Sequence, residues 1–326
     1  MEIPPLPDST ILVVEVGSTA HGTGLPGGED LDLTAVVVES AEEVLGLAPG
    51  GPATIMQRTQ PEGVRSGPGD IDRTVHPLRR FLYLAASGNP SVLMSLWAPV
   101  IEATTEGLEL QGMGEYFVGR HVIPRYRGYM QSQATRLLGI GGGRHGRRGG
   151  GQRDELVGKY GYDTKYAMHC ARLGFQGLEL LRTGHLNLPV QGEPAEWLLA
   201  VRRGEVLLNE WWNRALELDA ELEALSDDES IPAGPNREAI EAWSVQTHLW
   251  CWEAGQSRLS HPRTLVVGRW LVRPVWTIMP SGNSNRRVPV SKSRCLDSAP
   301  IGRTGLRCNC LSLTQFLKHS APNPGS

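Results

Sequence analysis

Two kinds of hydrophobic pattern follow each other along this chain. The first consists of apolar runs with β-branched residues, separated by polar loops, which predict strands at 11–16, 33–38 and 70–75. Residues 77–87 instead carry apolar side chains at helical spacing, and Asn89-Pro90 is typical of a helix start. From about residue 107 the pattern is helical, in the segments 114–139, 154–183, 194–225 and 236–252. We therefore expect an α+β fold, a small mixed sheet with helices followed by a helical region.

The charge distribution adds a third part to this division. After residue 253 the chain has eleven Lys and Arg residues and one acid, Asp297, whereas the first 253 residues contain 21 basic and 34 acidic residues. The net charge is therefore near −13 before this point and near +10 after it, which indicates two different kinds of segment. We expect an α/β domain over residues 1–106, a helical domain over 107–253 and a basic, disordered tail over 254–326.

The remaining composition favours a cytoplasmic protein. The sequence has no apolar stretch of about 18–20 residues, so we expect no membrane-spanning helix. Its first ten residues are acidic and rich in proline, unlike a secretory signal. The five cysteines are too scattered for a disulfide framework, which fits a reducing compartment.

A Gly-Ser pair and two aspartates carry the most informative chemistry. Gly17-Ser18 follows the first predicted strand, and Asp30-Leu31-Asp32 opens the second. Since side chains alternate along a strand, both carboxylates point to the same side, an arrangement that suits a hard divalent cation such as Mg²⁺ or Mn²⁺. Gly17 leaves room for a phosphate near the backbone, and Ser18 offers it a hydroxyl and an N–H. Alone, two aspartates at an exposed strand end are more often solvated structure than a metal site.

A third carboxylate strengthens the metal hypothesis. Asp70 and Asp72 flank Ile71 at the start of the third predicted strand, and either one could supply it. Phosphoryl transfer with two metal ions needs about three carboxylates around the ions. The residues alone leave the choice between Asp70 and Asp72 open.

Three stretches of the chain resemble a known family. The Gly-Ser, the D-x-D and a later lone aspartate resemble the pattern of the DNA polymerase β-like nucleotidyltransferase superfamily. The match is closer to one branch, the RNA repair pathway DNA polymerase beta family. It is carried by residues 17–32, by 72–92 with Leu-Arg-Arg-Phe and Gly-Asn-Pro-Ser-Val, and by 162–184, which begins Tyr-Asp-Thr-Lys-Tyr-Ala-Met-His. Together these stretches extend over about residues 9 to 253.

The resemblance implies a function and a role for each residue. Residues 1–106 would form the catalytic domain of a nucleotidyltransferase that moves a nucleoside monophosphate from a nucleoside triphosphate to an acceptor hydroxyl. Asp30 and Asp32 would bind both metal ions, and Gly17 and Ser18 would hold the triphosphate. The register set by Leu-Arg-Arg-Phe favours Asp72 as the third metal ligand, which would bind the ion that activates the acceptor. An RNA end is the favoured acceptor, while the base, the acceptor and the oligomeric state stay open.

The third matching stretch adds candidate nucleotide contacts. Lys159 lies at helical spacing from Tyr162, Tyr166 and His169, so we expect these four side chains to share one helix face. Such a stripe is often only structural. By resemblance the helix packs over the catalytic sheet, so Lys159, together with the pair Asp163 and Lys165, is expected to contact the nucleotide.

Two alternatives accompany this interpretation. Arg144, Arg147 and Arg148 lie in a glycine-rich segment, 139–151, that would either bind nucleic-acid phosphates or simply link two helices. The alternative function is a non-catalytic nucleotide-binding or antitoxin-like partner protein with the same fold, although the aspartates oppose it.

Overall fold

Five strands form one mixed sheet in this computed structural model, which describes residues 3–25, 30–47, 52–61, 64, 66–139 and 153–256. The strands are β1 (Thr10–Val16), β2 (Leu31–Val37), β3 (Ile55–Arg58), β4 (Ile71–Pro77) and β5 (Val100–Ala103). Their order is β3-β4-β2-β1-β5. β2 and β4 are parallel, and the other neighbouring pairs are antiparallel. The three predicted strands correspond to β1, β2 and β4, whereas the four-residue strands β3 and β5 were not predicted.

The first helices alternate with the strands, and the later helices follow the last strand. Those near the strands are α1 (Gly17–His21), α2 (Ala41–Leu45), α3 (Leu78–Ala86), α4 (Pro90–Leu93) and α5 (Thr105–Gly112). The later ones are α6 (Ile123–Leu137), α7 (Asp154–Tyr160), α8 (Thr164–Thr183), α9 (Gly192–Arg203), α10 (Leu208–Ala224) and α11 (Arg237–Gln256). Single 3₁₀ turns lie at Met94–Leu96, Gly114–Phe117, Arg120–Val122 and Leu225–Asp227. The predicted α+β fold is confirmed.

The predicted helix over 154–183 is two helices. α7 ends at Gly161, whose φ of +80° is left-handed and closes the helix. α8 then begins after Asp163, whose carboxylate accepts hydrogen bonds from the first free backbone N–H groups of the new helix. The expectation that Lys159 shares a helix face with His169 is therefore wrong, because the two residues lie on separate helices. The predicted segment 194–225 is likewise divided, into α9 and α10.

The alternation along the strands builds two hydrophobic clusters. Leu12 and Val36 are buried on the face that packs against helices, in a core that continues into the helical region. Val13, Ala35 and Val75 form a smaller cluster on the other face. Because successive side chains point to opposite faces, neighbours such as Leu12 and Val13 enter different clusters.

α8 lies at the centre of the helical region. It packs against α6, α9 and α10, and the indole N–H of Trp211 on α10 donates to the carbonyl of Ala167 at 2.9 Å. The hydrophobic core that contains α8 also contains the helices of the sheet. It therefore crosses residue 106, and the division into domains 1–106 and 107–253 stays a prediction. The expected tail falls almost wholly outside the described residues.

A buried ion pair ties α11 to the sheet. Glu39, just beyond β2, is buried, and its carboxylate lies 3.2 Å from Nε2 of His248. Nδ1 of the same imidazole lies 2.7 Å from the carbonyl oxygen of Ser244, so both ring nitrogens have acceptors. The indole N–H of Trp252 donates to the carbonyl of Glu39 at 2.7 Å. Two bound acceptors suit a protonated imidazole, which has two N–H donors.

Among the described helices, none combines the length and the apolar character that crossing a membrane requires.

Candidate active site

Strand pairing brings the three predicted aspartates together at one end of the sheet. In the parallel pair β2 and β4, Asp32 lies opposite Asp72. In the antiparallel pair β1 and β2, Asp32 lies opposite Val16, the last residue before Gly17. Asp30 lies two residues before Asp32, and one carboxylate oxygen from each of the three aspartates falls within 4.8 Å of the others. The turn after β1 and the starts of β2 and β4 thus meet at a single carboxylate cluster.

Gly17 touches this cluster directly. Its φ is +74°, a conformation that L-residues other than glycine rarely adopt. A Cβ at this position would lie 2.0 Å from Oδ2 of Asp32. Ser18, next in α1, is half-buried. The turn therefore requires glycine for two reasons, backbone conformation and space for the carboxylate.

The charges of the cluster repel one another. Burial and, to a smaller extent, the neighbouring charges of Asp30 and Asp72 raise the pKa of Asp32 to about 6. Lys165 and Arg58 oppose the shift but do not cancel it. Three oxygen donors that lack sufficient cationic compensation match what a divalent cation binds.

Asp72 is held in place by a loop that was not predicted to matter. The amide of Gln60 donates to Oδ1 at 2.8 Å, and the hydroxyl of Ser66 donates to Oδ2 at 2.6 Å. Arg58 at the end of β3 lies 3.4 Å from Oδ1. These partners fix the orientation of the carboxylate beside Asp32. Sequence reasoning missed all three, because nothing in the segment between β2 and β4 indicates that it folds back onto Asp72.

Asp70 has a different role. Its Oδ1 accepts from the hydroxyl of Thr59 at 2.9 Å, and its Oδ2 accepts from the backbone N–H of Gly67 at 2.9 Å. The hydrogen bonds from Gly67 and Thr59 lower its pKa, as expected for a carboxylate that stabilises a turn. The structure thus brings Asp72, and not Asp70, into the carboxylate cluster.

One basic side chain of the helical region, Lys165, lies near the cluster, with two arginines close to it. Lys165, in the first turn of α8, is close enough to Asp30 and Asp32 for the charges to interact. Burial lowers the pKa of Lys165, and the positive charges of Arg153 and Arg202 lower it further. Lys165 and these two arginines place three cations close together, which suits a polyanionic ligand. Arg153 and Arg202 were not predicted, since neither lies near the aspartates in sequence.

Asp163 holds Lys165 and Arg153 in position. Its carboxylate is 0% exposed and accepts from the backbone N–H groups of Lys165 and Tyr166, as the N-cap of α8. The same carboxylate pairs with Arg153 at 3.2 Å and accepts from its backbone N–H at 2.8 Å. These contacts position Lys165 and Arg153 together at the start of α8.

Lys159 lies apart from these groups. It is exposed near the end of α7, with its ammonium group 4.7 Å from the centre of the Tyr160 ring. None of the described contacts joins it to the aspartates. Its expected nucleotide contact stays a prediction.

Further along α8, a polar cluster joins the helix to α1. Arg172 donates to the imidazole of His21, the last residue of α1, and to the side-chain oxygen of Gln176 at 2.9 Å. Burial, the charge of Arg172 and the neighbouring His169 keep the pKa of His21 well below its usual value, so the ring is a neutral acceptor. The turn with Gly17 is thereby fastened to the helix with Lys165. The predicted arginine loop, with Arg144, lies outside the described residues.

The comparisons with known proteins agree with this geometry. The sequence model of the RNA repair pathway DNA polymerase beta family matches residues 7–245, a segment that contains the three aspartates, Gly17 and Lys165. No curated protein matches the chain.

Proposed function

Because the chain belongs to the RNA repair pathway DNA polymerase beta family, we propose that it is a metal-dependent nucleotidyltransferase that acts on RNA ends. The reaction would transfer a nucleoside monophosphate from a nucleoside triphosphate to an acceptor hydroxyl and release pyrophosphate. The observation that carries this proposal is the cluster of Asp30, Asp32 and Asp72. A cytoplasmic location, where triphosphates and RNA are both present, stays a prediction.

The carboxylate cluster fits Mg²⁺ or Mn²⁺. Its three carboxylate oxygens are the ligand type that these ions prefer, and burial beside two other carboxylates raises the pKa of Asp32, which a bound cation would offset. We assign Asp30, Asp32 and Asp72 as the metal ligands. When bound, the metal would supply an acceptor oxygen activated by a lowered pKa and charge neutralisation at the phosphates.

The remaining site residues would bind and orient the triphosphate. Gly17 leaves the backbone of the turn open to a phosphate, and Ser18 follows with a hydroxyl and an N–H. On the facing helix, Lys165 would offer its ammonium group, with Arg153 and Arg202 beside it. These cations would hold the leaving pyrophosphate, whose charge grows as the bond breaks.

Two further predicted residues receive different proposals. Asp163 would act through Lys165 and Arg153, which it positions, because its carboxylate is wholly engaged within the fold. Lys159 would contact the nucleotide only if the substrate extends beyond the cluster toward the end of α7.

The bonds of the reaction balance without a further reactant. The acceptor oxygen forms a bond to the α-phosphorus while the bond from that phosphorus to the pyrophosphate oxygen breaks, and the acceptor proton is released. The chain's own residues contribute position and charge and form no covalent intermediate.

The test is a transfer assay on the full chain. It uses Mg²⁺ or Mn²⁺, each labelled triphosphate in turn, and RNA as acceptor. Asp30→Asn and Asp32→Asn should lower transfer by orders of magnitude, as loss of a metal ligand does, whereas the exposed Asp227→Asn serves as a matched control. Metal binding measured by calorimetry should weaken in the first two variants only.

Two outcomes would contradict the proposal. Near-normal transfer by Asp30→Asn would remove the aspartates from the mechanism. Binding of metal and triphosphate by the wild type without any transfer, to RNA or to protein acceptors, would instead support the non-catalytic nucleotide-binding alternative.

A further inference from the structure

A groove between α3 and α11 lies outside the candidate active site. Its cavity volume is about 410 Å³, and Leu82, Ala86 and Ile240 form an apolar floor. The guanidinium-bearing residues Arg79 and Arg237 line it from the two helices. The groove thus combines an apolar base with a cation on either side.

An exposed aromatic ring adds to these features. Tyr83 on α3 also lines the groove and is 62% exposed. Arg80 lies over this ring, with its guanidinium carbon 5.5 Å from the ring centre. A tyrosine that stays exposed beside two arginines offers a face for a planar group.

The guanidinium groups in and beside the groove form no ion pairs within the described part of the chain, although the backbone N–H of Arg79 donates to the buried carboxylate of Glu39 at 3.2 Å. None of Arg79, Arg80 and Arg237 forms an ion pair there, although the first 253 residues carry a net charge near −13. The lining of the groove holds two arginines, Arg79 and Arg237, and one carboxylate, Glu241, while Arg80 lies beside it over the Tyr83 ring. In an otherwise acidic body, this local excess of positive charge is complementary to an anionic polymer.

The position of the groove relative to the aspartates sets the geometry of such a polymer. Asp72 is the second residue of β4, and α3 follows the end of that strand directly. At about 3.3 Å per residue, the start of α3 lies roughly 20 Å along the strand from Asp72. With a spacing of about 3.4 Å per stacked nucleotide, this distance corresponds to about six nucleotides.

We propose that the groove between α3 and α11 binds a single-stranded segment of the acceptor RNA, about six nucleotides from its reacting end. The proposal rests on the proposed function for the identity of the polymer. Arg79 and Arg237 bind phosphates, and Tyr83 stacks on a base above the apolar floor. A single strand is favoured over a duplex, because only unpaired bases present their faces to an aromatic ring.

The binding test uses the full chain and a labelled single-stranded RNA of about 20 nucleotides, with fluorescence anisotropy measured over a range of salt concentrations. The variant Arg79→Ala/Arg237→Ala should bind more weakly, with a log–log salt slope that is smaller by about 1.4, or about 0.7 for each lost phosphate contact. Tyr83→Ala should weaken binding about fivefold or more and leave the slope unchanged. The matched control is Arg182→Ala, which removes a 55% exposed arginine that is paired with Glu221.

The transfer test separates the groove from the active site. An acceptor of about four nucleotides is too short to reach the groove, so the groove variants should modify it at the wild-type rate and lose efficiency only on the longer RNA. If the wild type transfers to no RNA but the groove variants lose RNA binding as stated, then RNA is not the acceptor, and the proposal that the groove binds RNA is still supported. Unchanged RNA binding in both groove variants, an equal loss in Arg182→Ala, or a preference for duplex RNA would overturn the proposal.

Discussion

The substitution Gly17→Ala isolates the contact between the turn after β1 and the carboxylate cluster. The added Cβ would lie 2.0 Å from Oδ2 of Asp32, whereas non-bonded atoms of this kind stay about 3 Å apart. Either Asp32 or the turn must therefore move by about 1 Å. Because Asp32 also lies beside Asp72 across the parallel strands, the movement would alter the cluster itself.

Two separate effects can be estimated. The left-handed backbone at φ +74° costs a non-glycine residue about 1–2 kcal/mol, which corresponds to a loss of roughly 2–8 °C in melting temperature for a protein of this size. A displacement of about 1 Å at reacting groups lowers a rate by about 10²-fold. We expect Gly17→Ala to show both effects.

Gly161→Ala provides the matched control. Gly161 has a similar φ of +80°, but a Cβ there has no atom within 4 Å. It should therefore lose a similar amount of stability without affecting Asp32. The assay compares the melting temperature, the rate of transfer to RNA and the affinity for Mn²⁺ in the two variants.

The comparison has a clear refuting result. If Gly17→Ala transfers within about tenfold of Gly161→Ala at a temperature where both are folded, then the close approach of Gly17 to Asp32 does not shape the site. An equal loss of transfer in both variants would assign the effect to general destabilisation.

Three further predictions concern individual residues. Asp72→Ala should abolish transfer, whereas Asp70→Ala should lower the melting temperature and largely keep transfer; the reverse ranking would exchange their roles. Arg202→Ala should raise the KM for the triphosphate at least about tenfold, because one cation of the site is lost, and it should not lower stability, because repulsion among the remaining cations is relieved. The neighbouring variant Arg203→Ala, at a 53% exposed side chain, should behave as wild type. Equal KM values in the two variants would exclude Arg202 from the site. Burial lowers the pKa of His248, but its hydrogen bonds and its buried carboxylate partner Glu39 raise it more, so the pKa in the folded protein lies above the usual value. The contribution of His248 to stability is therefore complete below the unfolded-state pKa of about 6.5 and is lost as the pH rises through the raised folded-state pKa. Melting curves of wild type and His248→Gln should therefore converge above neutral pH, and a constant difference would contradict this assignment.

The larger elements of the fold could be predicted from local pattern. β1, β2 and β4 are runs in which apolar side chains alternate or are continuous, and such patterns can be recognised without knowledge of the tertiary structure. β3 and β5 have four residues each, too short for a period to be distinguished, and they become strands only through hydrogen bonds to β4 and β1. The division between α7 and α8 was available in Gly161 and Asp163, but the apolar periodicity on both sides concealed it.

The candidate site divides in a similar way. The alternation of a strand suffices to bring Asp30 and Asp32 to one side. The choice of Asp72 over Asp70 cannot be made from local pattern, because it depends on the register of the parallel pair β2 and β4. Arg153 and Arg202 come close to Lys165 through the packing of α7 and α9 against α8, and no sequence pattern near the aspartates predicts them.

The charged forms of Asp32 and Lys165 are both destabilised by their surroundings in the folded protein. Burial and two neighbouring carboxylates raise the pKa of Asp32, and burial and two neighbouring arginines lower that of Lys165, so each charge is disfavoured by its own surroundings. The attraction between Asp32 and Lys165 offsets only part of this, because each belongs to a group of like charge. We infer that a complex of a divalent cation with a triphosphate relieves both groups at once, with the cation beside the carboxylates and the phosphates beside the lysine and arginines. A ligand that carried only one of these charges would leave the other group uncompensated, which favours the joint binding of metal and triphosphate over either alone.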